Sequence, residues 1–196
     1  IKEGIKRFEG KIIINNRKIS GQELSKKLKI IPKNSIIETG KSSHLMFVDA
    51  KDAFLLRSET KIKLEHHRSK KRIVGFKIIK GGVLSVFSKK KRKIRTPVAI
   101  IGIRGTGVYV EVDEEKSYIC TCYGKAVLQR KDNLDVKEVV KTSHHDEPRY
   151  IYLGKNTIEK APVINHTDLE LIMLEEQVLR NPPFLGKDGK VKAGYY

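Results

Sequence analysis

Cysteine is scarce in this chain, whose 196 residues hold only Cys120 and Cys122. Two thiols make no disulfide framework. None is required either, because a chain of this length can bury roughly 70% of its surface on folding. No apolar run approaches the roughly 18 residues that a membrane-spanning helix needs. Catalytic signatures are missing as well: there is no GxSxG, Walker A, HExxH or Rossmann fingerprint, so the chain reads as a non-enzyme. The lack of CxxCH excludes covalent haem attachment. Acidic residues are in deficit, with 23 Asp and Glu against 41 Lys and Arg and a net charge of +18. That imbalance suits an acidic partner: nucleic acid, anionic lipid, glycan or protein. The basic residues scatter along Lys26–Lys33, Lys61–Arg72 and Lys89–Arg95 without helix-turn-helix or zinc-finger spacing, which disfavours nucleic acid. The densest run, Ser88–Arg95, reads as an exposed loop between apolar runs.

What is present is mostly strand. Lys11–Ile14 and Arg17–Ile19 flank Asn15-Asn16, a two-residue hairpin signal because Asn tolerates positive φ. Short runs rich in Ile and Val follow: Ser35–Glu38, His44–Val48, Ala53–Leu56, Lys61–Leu64, Ile73–Ile79 and Val83–Phe87. The series continues with Val98–Ile103, Val108–Val112, Tyr118–Cys122 and Lys125–Gln129. Gly, Asn, Asp and Ser punctuate them. This spacing predicts an all-β sandwich or roll of short antiparallel strands rather than βαβ units. Gly21–Leu28 is a weak early helix signal. A stronger one follows Thr167, where Glu170 completes a capping box and Leu171, Ile172, Leu174, Val178 and Leu179 form an apolar stripe ended by Asn181-Pro182-Pro183. This single C-terminal α-helix is expected to dock on the β domain. Past it, Gly186–Tyr196 reads as a mobile tail. The division expected is residues 1–131 as the β domain and 132–196 as an extension with a His-bearing loop and the docking helix.

The two cysteines carry the sharpest chemistry. On a strand, residues i and i+2 share a face about 6.6 Å apart. A disulfide wants Cβ atoms about 3.5–4.5 Å apart, so a flat strand does not close the pair. Parallel thiols can instead converge on a third atom. Thiolate with imidazole suits zinc, copper or iron. The partners expected are His144 and His145 in the loop before Pro148, and His166 beside the helix cap, where the dipole favours a neutral ring. Asp146 and Asp168 are candidate acceptors for the imidazole N–H groups. The metal set is thus Cys120, Cys122, His144, His145 and His166. Two other readings of the thiols stay open: a reducible dithiol, and inert buried packing. His66 and His67, amid Lys and Arg, read as solvated, and His44 as a strand residue. Arg104 is expected to pin its turn by pairing inside the domain.

Thr96-Pro97 and the step Gly102-Ile103-Arg104-Gly105-Thr106 resemble the signature of the FecR domain family. Upstream, GKIIINNRKI, Ile37-Glu38-Thr39-Gly40, HLMFVDAKDAFLLRSETKIKL and Gly81-Gly82-Val83-Leu84 agree with it, over roughly residues 5–130. The resemblance implies an all-β domain exported to the bacterial periplasm or cell envelope with its leader removed, belonging to signal relays or envelope binding proteins. The segment from Cys120 through the histidines lies outside that general pattern. Together these readings anticipate a periplasmic FecR-like binding or sensor protein holding a transition metal. The alternatives are an envelope module for an acidic glycan, lipid or protein, and a Cys120–Cys122 redox dithiol.

Overall fold

The structure, a computed structural model, describes residues 1–20, 23, 31–69, 72–186 and 188–192. Nearly all of the expected early helix Gly21–Leu28 lies outside these residues. The strands in chain order are β1 (Gly4–Glu9), β2 (Ile12–Ile14), β3 (Arg17–Ile19), β4 (Ile36–Thr39), β5 (His44–Asp49), β6 (Asp52–Leu56) and β7 (Lys61–His66). They continue as β8 (Ile73–Val86), β9 (Lys91–Arg95), β10 (Ala99–Arg104), β11 (Gly107–Val112), β12 (Lys116–Arg130), β13 (Lys137–Thr142), β14 (Arg149–Tyr152) and β15 (Glu159–Lys160). The helix α1 (Asp168–Gln177) follows. The all-β expectation with one C-terminal helix holds among the described residues.

The strands form one sheet folded over itself into two halves. One half runs β1-β5-β6-β8-β11-β12-β14-β15 and the other β3-β2-β4-β7-β8-β9-β10-β12-β13. All pairings are antiparallel except β8 with β9. β8 and β12 belong to both halves, so the sequence segments read as four strands are two long ones. Each turns its corner at a glycine with positive φ, Gly81 (81°) and Gly124 (92°). A Cβ at Gly124 would sit 2.7 Å from the Gly105 carbonyl oxygen, and one at Gly81 would sit 2.5 Å from Thr60 Cα. Only glycine turns these corners.

Alternation of side chains divides the interior in two. Leu45, Phe47, Phe54, Val108, Val110 and Ile119 point between the halves, against Ile37, Ile62, Phe76, Ile94, Ile101 and Leu128. The intervening residues Met46, Leu55, Leu84, Tyr109, Tyr118, Cys120 and Cys122 point outward from the first half and are covered by α1 and the chain around it. Leu171 and Leu174 of α1, with Val178 just beyond, are buried there. Each such side chain contributes about 1.5–3 kcal/mol. That exceeds the roughly 0–1 kcal/mol of an exposed ion pair, so apolar burial decides the docking. The capping box is as expected, with Thr167 accepting from the Glu170 amide and Glu170 accepting from the Thr167 amide.

Several elements differ from expectation. Lys91–Arg95, read as loop, is β9, because Arg92 and Ile94 turn inward and Arg92 pairs with Asp52 in the core (2.5 Å; side chains 2% and 0% exposed). Among the described residues of the expected tail, Val191 bridges Leu185 and the Lys190 carbonyl accepts from the Gly186 amide. β13 and β14 join β12 in the second and first half respectively, so the segment after 131 extends both.

Candidate metal centre

The site begins with an irregularity in β12. Gly107 of β11 pairs with Tyr123, but Val108 pairs with Thr121, leaving Cys122 as an extra residue. Strict alternation would put Tyr123 on the face of Ile119 and Thr121, and the bulge prevents it. Tyr123 instead joins Tyr118, Cys120 and Cys122 on the outward face. Its ring covers Gly107, where a Cβ would lie 2.4 Å from Tyr123 Cε1.

The histidines arrive from the C-terminal segment. Asp146 Oδ2 orders the turn before β14 by accepting from the Thr142 and Ser143 hydroxyls and the Ser143 and His144 amides. It therefore serves the loop backbone rather than an imidazole. His145 adopts left-handed backbone (φ 51°), and its amide donates to the Cys122 carbonyl at 2.9 Å. That bond sets the His145 ring against the thiols. His166 precedes the helix cap, stacks on Tyr109 (4.8 Å between centroids) and is 8% exposed.

Cys120 Sγ, Cys122 Sγ, one nitrogen of His145 and one of His166 all lie within 4.8 Å of one another. Cys120 Sγ is 3.4 Å from His145 Nδ1, and His145 Nδ1 is 2.9 Å from His166 Nε2. The remote nitrogens are occupied: His145 Nε2 is 3.0 Å from Asp168 Oδ1, and His166 Nδ1 donates to the Ile164 carbonyl at 2.6 Å. His144 stands outside this group of four, with Nε2 2.7 Å from Asp168 Oδ1 and its ring 4.5 Å from Phe184. It belongs instead with His145 and Asp168 to a neighbouring trio. Asp168 is thus the acceptor expected of it, and it serves both rings.

Electrostatics favour a thiolate. The hydrogen bond from Cys122 brings the Cys120 pKa down to about 4, helped by His145 and His166 against the cost of burial. Burial and the Cys120 sulfur push Cys122 up. Burial opposes charging His145, but the Cys120 sulfur and Asp168 outweigh it and raise its pKa. Both shifts act in the direction of a thiolate on Cys120 and a proton on His145.

The remaining histidines stand apart. His66 Nδ1 accepts from the Asn34 amide, His67 Nδ1 from the Ser69 amide, and His44 lies 3.5 Å from Glu9. Arg104 pins its turn by donating to the Lys89 carbonyl at 2.8 Å, but from an exposed position rather than from inside the domain. Sequence reasoning missed the Ile164 carbonyl and the Cys122 carbonyl, since backbone acceptors leave no trace in residue identity.

No family profile and no curated protein match the sequence. The fold does have solved counterparts. Two crystal structures, each of a candidate anti-sigma factor from Parabacteroides distasonis, superpose with a TM-score of 0.53 each. One is 13% identical and is matched over 64% of this chain and 58% of its own; the other is 12% identical, over 80% and 82%. The chain thus spans under two thirds of the first counterpart's length. The fold is shared with these proteins, at 12–13% sequence identity.

Proposed function

We propose that this chain is a FecR-like binding or sensor protein of the bacterial periplasm or cell envelope that holds one transition metal through Cys120, Cys122, His145 and His166. One observation carries the metal reading: two imidazole nitrogens meet at 2.9 Å beside two thiols, with both remote nitrogens already bound to acceptors. Such outer hydrogen bonds fix tautomer and orientation in metal-ligating histidines. Two sulfurs and two nitrogens complete a tetrahedral shell, which suits zinc best, with copper or iron as the other soft or borderline choices. A closed, buried set leaves no position for substrate. The role is therefore structural or sensory: metal joins β12, the loop before β14 and the start of α1. The counterparts named as anti-sigma factors support a regulatory, non-enzymatic part, and the Arg-Gly-Thr step supports the FecR-like assignment.

The deciding experiment is elemental analysis and an absorption spectrum of protein prepared without chelator. Stoichiometric zinc without colour is expected; thiolate charge-transfer bands would identify copper or iron instead. Protein that stays metal-free after reduction and exposure to all three ions sinks the reading. The low Cys120 pKa beside a high Cys122 pKa also favours the dithiol alternative. Reversible loss of both titratable thiols on oxidation, in protein that takes up no metal, would establish it.

A further inference from the structure

The outward face of the second half carries cations in register. Lys91 of β9 pairs with Arg104 of β10, which stands one step beyond the Ile103–Ala126 pair and so opposite Lys125 of β12. Lys125 in turn pairs with Lys141 of β13. With strands about 4.8 Å apart, these side chains form a row roughly 14 Å long. All are exposed, and no ion pair among the described residues engages any of them. Like charges directly opposite destabilise a sheet, so the row stores repulsion that an external anion relieves.

The next row is different. Lys93, Gly102, Val127 and Val139 stand side by side, with Val127 38% and Val139 56% exposed. A Cβ at Gly102 would meet nothing closer than 4.0 Å, so packing does not demand glycine there. Its bare backbone floors a depression of about 400 Å³ rimmed by Lys91, Lys93, Arg104 and Lys125. Beyond it, Arg95, Ile100, Gln129 and Lys137 form a third row, in which Arg95 is ion-paired with Glu65. Two exposed valines therefore lie beside the fully cationic row, with Lys93 at one end of their own row and Lys137 in the row beyond.

We propose that this face seats on an anionic phospholipid surface, with Val127 and Val139 entering between headgroups whose phosphates meet the Lys91–Arg104–Lys125–Lys141 row. A linear polyanion would engage the charged row and leave the valines in water. These rows also hold no aromatic side chain on which a base or sugar ring could stack. The metal centre occupies the outward face of the other half, so neither reading depends on the other.

The test is cosedimentation of the full chain with vesicles of phosphatidylcholine alone or mixed with phosphatidylglycerol, at low and high salt, beside a heparin column. Binding to the mixed vesicles only, weakened by salt, is expected. Arg104→Glu with Lys125→Glu should weaken it at least about ten-fold, and the uncharged Val127→Ser with Val139→Ser should weaken it while leaving heparin retention unchanged. Lys160→Glu with Lys190→Glu, exposed positions outside the face, should change little. Equal losses from that control pair would reduce the effect to net charge and overturn the proposal. Heparin retention without vesicle binding would overturn it in favour of a linear polyanion.

Discussion

His145 Nδ1 and His166 Nε2 face each other at 2.9 Å, and each ring has already committed its other nitrogen, to Asp168 and to the Ile164 carbonyl. A carbonyl only accepts, so His166 must carry its proton on Nδ1 and present a lone pair at Nε2. A neutral His145 bound to Asp168 through Nε2–H would present a second lone pair to the first. Two lone pairs at that distance repel unless a cation lies between or beside them. A proton on His145 can take that place, and the raised pKa of His145 favours it. The Cys120 thiolate supplies the compensating charge.

Zinc should displace that proton and the one on Cys122. Calorimetric titration is expected to show one site, with heats that change between buffers of different ionisation enthalpy because protons are released. Cys122→Ser and His145→Ala should each lose stoichiometric zinc. His144→Ala should keep it, because its Nε2 is bound to Asp168 outside the four-donor set. Loss of zinc in His144→Ala equal to that in His145→Ala would move the centre to the trio with Asp168.

Removing the metal should loosen the C-terminal segment before the sheets. A ligand at about 100 times its dissociation constant adds about 2.7 kcal/mol to stability. For a chain of this size each kcal/mol shifts Tm by roughly 2–4 °C, so chelation should lower Tm by roughly 5–10 °C. Amide exchange should rise first in α1 and around His145, and last in β8. A Tm indifferent to chelator in zinc-loaded protein contradicts the role assigned to the site.

Strands with a clean alternation of apolar and polar residues were legible, as were the Asn15-Asn16 hairpin, with φ of 52° and 65°, and the capping box of α1. β9 was not. Its inward Arg92 neutralises the buried Asp52, so a core position carries the same residue type as its solvent-facing neighbours and the period of two vanishes. β12 read as two strands because its corner falls on Gly124, and composition does not distinguish a turn from a bend within one strand. The site was half legible. Cys120 and Cys122 announce a shared face, but which adjacent histidine joins them depends on the left-handed backbone of His145 and its bond to the Cys122 carbonyl. Those are tertiary facts.

Acid should release α1 through Glu170. Its carboxylate takes Arg57 Nη2 at 2.7 Å, and Arg57 also donates to the Asn165 carbonyl and lies over the Tyr109 ring. Burial works against the charged Glu170, but Arg57 and the Thr167 cap outweigh it and lower its pKa below the ordinary 4.5. A lowered folded-state pKa contributes stability above the unfolded value, and that contribution disappears as pH falls through the folded one. The plot of Tm against pH should therefore steepen below about pH 4.5 in the parent. It should be flatter there in Glu170→Gln, which also starts lower at neutral pH. Parallel curves for the two proteins would show that Glu170 does not govern acid stability.

Two glycines in consecutive strands, one in each half, should respond oppositely to the same methyl group. At Gly107 the added carbon would lie 2.4 Å from Tyr123 Cε1. That ring has little freedom to retreat, being 5% exposed and held through its hydroxyl to Glu175, which is itself bound by Arg180 Nε at 2.6 Å. Overpacking of this kind costs about 1–3 kcal/mol. Gly107→Ala should thus lower Tm by roughly 2–12 °C, because each kcal/mol moves it by roughly 2–4 °C. At Gly102 the same carbon meets only Val127, at 4.0 Å. Restricting the unfolded chain then contributes about 0.4–1 kcal/mol in favour of the fold, so Gly102→Ala should hold Tm or raise it slightly. Thermal melts of both variants check the pair. A Gly107→Ala protein as stable as its parent would mean that Tyr123 does not cover β11, and with it the bulge that places Tyr123 on the outward face would fall.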